Sequence, residues 1–411
     1  MPKKWQICIL LFLATTLNYL DRQTMSILAP VLQKEMHLDN EALGWLFAVF
    51  YYVYTFSLFA VGPILDRSHL RWAFASAVFL WSLVSILTGL ANGFVALLIF
   101  RLALGLVESA NWPAAIRVVA RIMEPRERAL GNGIFTSGTS VAALVAPGLI
   151  LGISALFGWR LAFVLIGSLG AIWIGGWIVM TRDPNLAAVW REPAALGSKG
   201  LAGQWPVLAS IFRSPRFVPV LVVAVLVNPC LYFSVNWLPT YFAQQRGLSP
   251  GRQMAWILTA IYLGLDAGNL VCGAAILALT RRGRSIQYAQ RAVFLLATAP
   301  VAACAIVPML PIGAAVIALV LVNFGLGIWV SMYLAMAQDI SSTHVSTALG
   351  VLSGCGSLAG ALAMWAVGRV TQQTASFSIP MSSVALAAVL SAIAGWMAST
   401  DLESKPVCQP S

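Results

Sequence analysis

The sequence is poor in charged residues. Asp, Glu, Lys and Arg make up only 9% of its 411 residues, against about 25% in a typical soluble protein. So few charges cannot cover the surface of a water-soluble fold of this size. Hydrophobic residues make up 60% of the chain, and it contains many apolar stretches of about 20 residues, the length of a membrane-spanning helix. The composition excludes an ordinary soluble protein and predicts an integral membrane protein.

Cysteine and histidine are also scarce. The six cysteines form no CxxC pair and no Cys/His cluster, so we expect small core residues rather than metal ligands or disulfides. They are Cys8, Cys230, Cys272, Cys304, Cys355 and Cys408. The three histidines, His37, His69 and His344, lie in separate predicted loops and form no hydrolase or metal-binding pattern. The sequence therefore predicts no enzyme, no metal and no cofactor.

Twelve apolar segments of spanning length follow one another along the chain. They lie near residues 5–30, 43–62, 72–92, 95–118, 131–154, 160–180, 217–243, 254–279, 289–309, 311–335, 346–368 and 380–398. The first has no small-residue cleavage site, so it is interpreted as an uncleaved span rather than a signal peptide. Glycine and proline are frequent in residues 181–216, which indicates a linker. We predict an all-α membrane protein with two six-helix halves, 1–180 and 217–398, a cytoplasmic linker at 181–216 and a cytoplasmic tail at 399–411.

The basic residues give the orientation. The net charge is +11, from 25 Lys and Arg against 14 Asp and Glu. If the N-terminus is cytoplasmic, 18 of these 25 basic residues fall on the cytoplasmic side and only 5 on the other, which is the bias expected of a membrane protein. The sequence therefore predicts two cytoplasmic termini in a plasma (inner) membrane. The same bias explains the positive charge without a nucleic acid partner.

Five ionisable residues lie inside predicted spans: Asp21, Arg22, Arg101, Glu108 and Asp266. A charge at this depth is costly unless it is paired or hydrated, so each is a candidate functional residue. Asp21 and Arg22 are adjacent and do not face each other, so we expect each to have a partner on another helix. Arg101 and Glu108 are two turns apart and share one helix face, which we expect to face a cavity. Asp266 is a third proton site or a polar link between helices.

The four charges in the first half sum to zero, because two acids accompany two arginines. Protonation of one carboxylate leaves a net positive cavity, which would accept one anion together with one proton. This is the charge arrangement expected of a proton-coupled organic anion carrier. The alternative is that two ion pairs between helices only hold the bundle together.

Neutral polar and aromatic residues on the same helices are candidates for the cavity lining. They are Asn18, Tyr19, Tyr54, Tyr232, Asn236, Trp237 and Asn323. For each of them, ordinary helix packing or anchoring at the membrane interface is the alternative.

The loop after the second span resembles the G-x-x-x-D-R-x-G-R-R signature of the major facilitator superfamily. Gly62, Asp66, Arg67 and Arg71 match it, while His69 and Leu70 replace the signature glycine and one basic residue. The resemblance implies a cytoplasmic conformational latch formed by the matching residues, weakened by these two departures. A related pattern, Gly273 followed by Arg281-Arg282-Gly283, occurs at the equivalent loop of the second half. This repeat supports the prediction of two six-helix halves, each with internal inverted repeats.

Further segments are similar to the anion:cation symporter family of that superfamily. They are Asn18-Tyr19-Leu20-Asp21-Arg22, Glu108-Ser109-Ala110-Asn111-Trp112-Pro113-Ala114 and Phe157-Gly158-Trp159-Arg160. Three more resemble its hexuronate branch: Trp237-Leu238-Pro239, Leu265-Asp266-Ala267-Gly268-Asn269-Leu270 and Ala337-Gln338-Asp339-Ile340. The resemblance implies proton-driven symport of a sugar acid such as a hexuronate or an aldonate. It places Arg22 near the substrate carboxylate, makes Asp21 and Glu108 the proton-linked acids, and matches Arg101 to the arginine of the fourth span.

Two alternative functions remain open at the level of sequence. One is an exporter or antiporter of a small metabolite or drug from the same superfamily. The other is a membrane sensor that does not transport. For the favoured function we expect the partners to be a small organic anion, protons and the lipid bilayer, and the protein to be a monomer.

Overall fold

The computed structural model describes residues 3–124, 127–183, 190, 209, 211–338, 340 and 345–400. Most of the predicted linker lies outside these residues, as do residues 401–411 of the predicted tail, His344, Asp339 and Cys408. The described helices are α1 (Lys3–Met36), α2 (Asn40–Arg67), α3 (Leu70–Thr88), α4 (Phe94–Glu108), α5 (Asn111–Ile122), α6 (Arg128–Phe157), α7 (Trp159–Thr181), α8 (Phe217–Arg246), α9 (Arg252–Arg281), α10 (Ile286–Ala302), a 3-10 helix (Ala303–Met309), α11 (Ile312–Gln338), α12 (Val345–Thr374) and α13 (Ser378–Thr400).

The helices confirm the predicted all-α membrane fold. Within the described residues, 11 helical segments are long and apolar enough to cross a membrane. The predicted first span, α1, is not one of these 11, although its 34 residues make it the longest helix described. Its hydropathy is lowered by Asp21 and Arg22 in the middle and by lysines near both ends. With α1, the helices correspond to the twelve predicted spans.

Two of the predicted spans are interrupted. The fourth consists of α4 and α5, separated by a turn at Ser109 and Ala110. Pro113 has no N–H, so the carbonyl of Ser109 cannot receive the normal helical hydrogen bond at this point. The ninth span begins as α10 and ends as the 3-10 helix. The sequence predicted one continuous segment in each case.

The chain forms two compact units that do not coincide with its sequence halves. The first contains residues 1–197 and 235–259, and the second contains residues 198–234 and 260–411. Because the boundary falls within α8, the residues of that helix from Val235 onward pack with the first unit. Within the first unit α1 packs on α6 and α7, α2 on α4, and α3 on α7; within the second, α10 packs on α11 and α13.

Small residues and cysteines fill the helix interfaces as expected of a membrane bundle. Cys8, Cys230, Cys272 and Cys304 are buried, Cys355 is partly buried, and all five are free thiols. The prediction that the cysteines are core residues is therefore confirmed for the four buried ones. His37 lies in the turn after α1, and His69 precedes the first residue of α3.

Candidate substrate and proton site

A buried ion pair joins α1 to α4 in the first unit. The Nε of Arg22 donates a hydrogen bond of 2.6 Å to Oε2 of Glu108. Glu108 is completely buried, and the Arg22 side chain is 14% exposed. Arg22 therefore has a partner on another helix, and the pair lies at the C-terminal end of α4, where the turn to α5 begins.

The aromatic side chains of α2 lie beside both buried arginines. The guanidinium carbon of Arg22 is 4.4 Å from the centre of the Tyr54 ring and 5.2 Å from that of Phe50. It is also 5.0 Å from the Tyr19 ring, one turn earlier on α1. The guanidinium carbon of Arg101 is 4.6 Å from the same Phe50 ring. Such contacts stabilise a cation electrostatically, and the shared ring brings Arg22 and Arg101 into one site.

The two arginines differ in their polar partners. Arg101 is 2% exposed, and its Nε donates to the backbone oxygen of Leu46 at 3.3 Å. Among the described residues Arg101 has no carboxylate partner, whereas Arg22 is neutralised by Glu108. The site therefore contains one compensated and one uncompensated cation.

Asp21 faces a different helix from Arg22. It is 3% exposed, and its Oδ1 accepts a hydrogen bond of 2.8 Å from the hydroxyl of Ser85 on α3. Within the part of the chain that the structure describes, Asp21 forms no ion pair. Desolvation of an unpaired carboxylate is costly, and protonation removes that cost.

Several buried polar atoms beside the ion pair have no hydrogen-bond partner among the described residues. They are both side-chain polar atoms of Asn18, Oδ1 of Asn111, Oε1 of Glu108 and Nη2 of Arg22. Asn18, Glu108 and Asn111 are each completely buried. The Nδ2 of Asn111 donates to Thr15 on α1 at 3.3 Å. Asn18 therefore lies on α1 between Thr15, which contacts Asn111, and Arg22, which contacts Glu108. This set combines donors and acceptors, as is required to bind a hydroxyl group.

A close approach of α4 to α2 makes this arrangement possible. Gly105 lies between Arg101 and Glu108, and a Cβ atom there would be 2.6 Å from the backbone oxygen of Phe50. Only glycine allows the two backbones to be this close. The glycine therefore brings α2 against α4, with the Phe50 ring beside Arg101.

The part of α8 that packs with the first unit adds Asn236 to this region. Its Oδ1 accepts from Ser26 at 2.8 Å, and its Nδ2 donates to the hydroxyl of Tyr51 at 3.1 Å. Tyr51 follows Phe50 on α2, and Ser26 lies one turn after Arg22 on α1. The next residue, Trp237, forms an edge-on contact with Phe47 at 5.5 Å.

The remaining cavity candidates belong to the second unit. The hydroxyl of Tyr232 is 3.1 Å from that of Ser357, and Oδ1 of Asn323 accepts from Ser234 at 2.5 Å. Asp266 lies within α9 and is partly buried. The cluster around Arg22 lies in the first unit.

Of the predicted latch residues, the structure describes the Arg71 side chain. Its Nη2 donates to the backbone oxygen of Ile178 on α7 at 3.2 Å, and its guanidinium carbon lies 4.9 Å from the centre of the Trp72 ring. Gly62, Asp66 and Arg67 lie in the last two turns of α2; the Asp66 and Arg67 side chains are outside the description.

Sequence reasoning did not single out Phe50, Tyr51, Ser85 or Asn111 as site residues. Phe50 and Tyr51 lie on the same helix as Tyr54, one turn before it, so helical spacing alone could have suggested them. Ser85 had no comparable signal, because a serine in an apolar helix is common. Asn111 lies three residues after Glu108, within a segment recognised only as a family motif.

Comparison with known proteins finds relatives that are named as transporters. The chain is 27% identical over 384 residues to a hexuronate transporter of Bacillus subtilis, covering 91% of this chain and 90% of that protein. It is 24% identical over 305 residues to a D-galactonate transporter of Escherichia coli, covering 70% of each. These relatives are consistent with the anion:cation symporter resemblance seen in the sequence.

Solved structures show the same fold at lower sequence identity. A bacterial homologue of the human lysosomal transporter Spinster, in an inward-facing and occupied conformation, matches with a TM-score of 0.79 and 18% identity over 97% of this chain and 96% of that one. The nucleoside transporter NupG matches with a TM-score of 0.73 and 12% identity over 96% of this chain and 99% of that one. The profile of the Major Facilitator Superfamily matches residues 11–364. On its sequence and its helical fold together, this multi-pass membrane protein belongs to the Major Facilitator Superfamily.

Proposed function

We propose that the protein is a secondary active transporter that carries a sugar acid together with a proton by alternating access. The observation that carries this proposal is the buried cluster of Arg22, Glu108, Arg101 and Asp21. Four ionisable groups within one membrane-embedded unit are an expensive arrangement for structure alone. The two arginines can bind an anionic substrate, and the two carboxylates can bind a proton.

The unequal pairing of the four groups suggests how the cycle is coupled. With both acids ionised the cluster is neutral, and Glu108 occupies one donor of Arg22. Protonation of Asp21 leaves the cluster with one net positive charge, so a monoanion then restores neutrality. Arg22 offers the substrate carboxylate its free Nη2, and Arg101 supplies the uncompensated charge. Glu108 is the second proton-linked acid, because its protonation would release Arg22 to grip a carboxylate with two donors.

The substrate class follows from the polar atoms around the arginines and from the relatives. Asn18 and Asn111 offer unpartnered donors and acceptors suited to hydroxyl groups, and Tyr19 and Tyr54 add phenol groups beside Arg22. Relatives named as hexuronate and D-galactonate transporters favour an acid of the hexuronate or aldonate type. Tyr232, Asn236 and Asn323 are retained as further substrate contacts, and Asp266 as a third proton site.

The basic-residue bias supports a plasma (inner) membrane location with both termini cytoplasmic. In this orientation the end of α2 and the start of α3 face the cytoplasm. We assign Gly62, Asp66, Arg67 and Arg71 to a latch there, and the contact from Arg71 to Ile178 would link that latch to α7. We expect the working unit to be a monomer.

Counterflow in proteoliposomes tests the substrate class directly. The full chain is reconstituted and assayed with D-glucuronate, D-galacturonate, D-galactonate and D-glucarate. We expect at least one of these acids to exchange and an inward proton gradient to drive its accumulation. If no acid in the panel exchanges, the proposed substrate class is wrong.

Two carboxyl variants test the coupling in the same vesicles. Asp21→Asn and Glu108→Gln remove the proton-binding groups, so we expect both to lose accumulation while exchange across loaded vesicles persists. Glu41→Gln, in the first turn of α2, is the matched control and should accumulate substrate normally. Full accumulation by both variants would contradict the assignment of the proton to these acids.

A further inference from the structure

Ser85 connects the buried carboxyl of Asp21 with the backbone of α7. Its Oγ lies 2.8 Å from Oδ1 of Asp21 and 3.4 Å from the backbone oxygen of Phe163. Ser85 is 2% exposed, so bulk water does not compete at this position. A serine hydroxyl carries one hydrogen and donates to only one of these acceptors at a time.

The protonation state of Asp21 decides which acceptor receives that hydrogen. An ionised carboxylate is the stronger acceptor, since hydrogen bonds to charged groups are shorter and stronger, so Ser85 then donates to Asp21. A neutral carboxylic acid has an O–H of its own that needs an acceptor. Ser85 Oγ can accept it and donate its own hydrogen to Phe163, because a backbone carbonyl has a second lone pair beyond its helical bond.

We propose that Ser85 is a positioning residue that transmits the protonation state of Asp21 to α7 by reversing this hydrogen bond. The proposal rests on the proposed function, in which Asp21 binds the coupled proton. The proton that arrives from water stays on Asp21, and Ser85 keeps a single hydrogen throughout. Before proton binding, the hydrogen bond of Ser85 joins only α1 and α3. After proton binding, two hydrogen bonds in series join α1 to α3 and α3 to α7.

The packing of α3 against α7 keeps the second acceptor within reach. A Cβ atom on Gly167 would lie 2.7 Å from the backbone oxygen of Ser82, one turn before Ser85. Because Gly167 lies one turn after Phe163, this close approach adjoins the point where Ser85 bridges the two helices. At this spacing, a rotation of the Ser85 hydroxyl is sufficient to change its acceptor.

Few charged groups lie where they could affect the protonation of Asp21. On the described helices that pack against α1, namely α3, α5, α6 and α7, the charged side chains all belong to arginines. They are Arg71, Arg117, Arg121, Arg128 and Arg160. In the interior, Arg22 adjoins Asp21 on α1 itself, and the charge of Glu108 on α4 acts on Asp21. Glu108 is held by Arg22, which leaves Ser85 as the direct hydrogen-bond partner of Asp21.

Infrared titration of the reconstituted full chain tests the proposal without any substrate. A protonated carboxyl has a C=O stretching band, and the part of this band that is missing in Asp21→Asn belongs to Asp21. Ser85→Ala removes the donor that stabilises the ionised form. We expect the Asp21 band to titrate about 1 pH unit higher in this variant, as for the loss of one hydrogen bond to a charged group. We also expect the band to move to higher frequency, because the acid loses its acceptor.

Two further variants make the result specific. Ser82→Ala makes the same substitution one turn earlier on α3 and should leave the midpoint and the frequency unchanged. Ser85→Cys keeps a weaker donor and should shift the midpoint in the same direction by a smaller amount. If the Asp21 band titrates in both Ser85 variants as it does in the wild type, the proposal is overturned, but the assignment of the coupled proton to Asp21 is not affected. If the wild type has no Asp21 band that titrates, the coupling assigned to Asp21 fails, and this inference fails with it.

Discussion

At the scale of single residues, Arg22 makes contacts that another cation could not reproduce. Its Nε is committed to Glu108, its Nη2 is unpartnered, and three aromatic rings lie within 5.2 Å of its guanidinium carbon. A planar guanidinium can do all of this at once, because its donors point outward in one plane while its faces contact rings. A lysine ammonium is a point charge, so it has no flat faces for the aromatic rings and no planar set of donors for the polar partners.

Arg22→Lys should therefore weaken substrate binding although the charge is kept. We expect an affinity about tenfold lower, equivalent to the loss of about 1.4 kcal/mol from one charge-assisted hydrogen bond. The measurement is the concentration dependence of counterflow with the acid that the wild type exchanges best. Arg284→Lys changes an exposed arginine beside Tyr288 and should have no effect. Normal affinity in Arg22→Lys would move the carboxylate contact to Arg101.

The residues that could be predicted from sequence are those that are costly in a membrane. A charge in an apolar helix is costly and therefore indicates a function. This identifies Asp21, Arg22, Arg101 and Glu108. Phe50 and Ser85 do not stand out, because a phenylalanine or a serine is unremarkable there. Their importance comes from neighbours on other helices, and a single sequence contains no information about which helices are neighbours.

At the scale of helices, the approach of α4 to α2 determines the geometry of the site. Gly105 is the contact point, and the backbone of Phe50 occupies the space where a Cβ atom would be. The separation of these helices in turn sets the distance from Phe50 to Arg101. One missing methyl group therefore controls this contact of the site.

Gly105→Ala should lower both stability and transport. The added methyl group overlaps the Phe50 carbonyl, and overpacking of this kind costs roughly 1–3 kcal/mol. We expect a lower thermal unfolding temperature of the purified protein and slower uptake at equal protein amounts. Gly175→Ala, in α7, is the matched control, because its added Cβ would meet no atom within 4 Å. An unfolding temperature for Gly105→Ala that equals that of the control would contradict the proposed contact.

The interruption between α4 and α5 marks the limit of prediction at this scale. Hydropathy predicted one span near residues 95–118, and both helices indeed lie within one apolar segment, Phe94–Ile122. Pro113 was visible in the sequence, but a proline in a membrane helix is often accommodated without a break. Here Asn111 opens α5, and its amide contacts Thr15 on α1, so a tertiary contact accompanies the interruption. The sequence alone does not show that Asn111 contacts Thr15.

At the scale of the whole molecule, the last part of α8 joins the compact unit formed by the first half of the chain. Three side-chain amides make this connection near the ends of their helices. Gln244 donates to Gln33 at 3.1 Å and to Asn40 at 2.9 Å, and Gln33 donates to Asn40 at 2.8 Å. Twelve spans and their order could be predicted from hydropathy, but not that residues 235–259 would pack with the first half. Such a contact depends on which helices pack together rather than on helix formation.

If transport proceeds by alternating access, the contact of Gln244 with α1 and α2 must open once in every cycle. A carrier with Gln33→Cys and Gln244→Cys, joined by a short bifunctional thiol reagent, should therefore bind substrate but lose net uptake. A reducible reagent allows the test to be reversed, and uptake should return when the link is cleaved. Each single cysteine variant treated in the same way is the control and should keep most of its uptake. Unchanged uptake by the cross-linked carrier would mean that α8 and α1 stay together throughout transport, and the rocking of two halves that this superfamily fold suggests would not describe this protein.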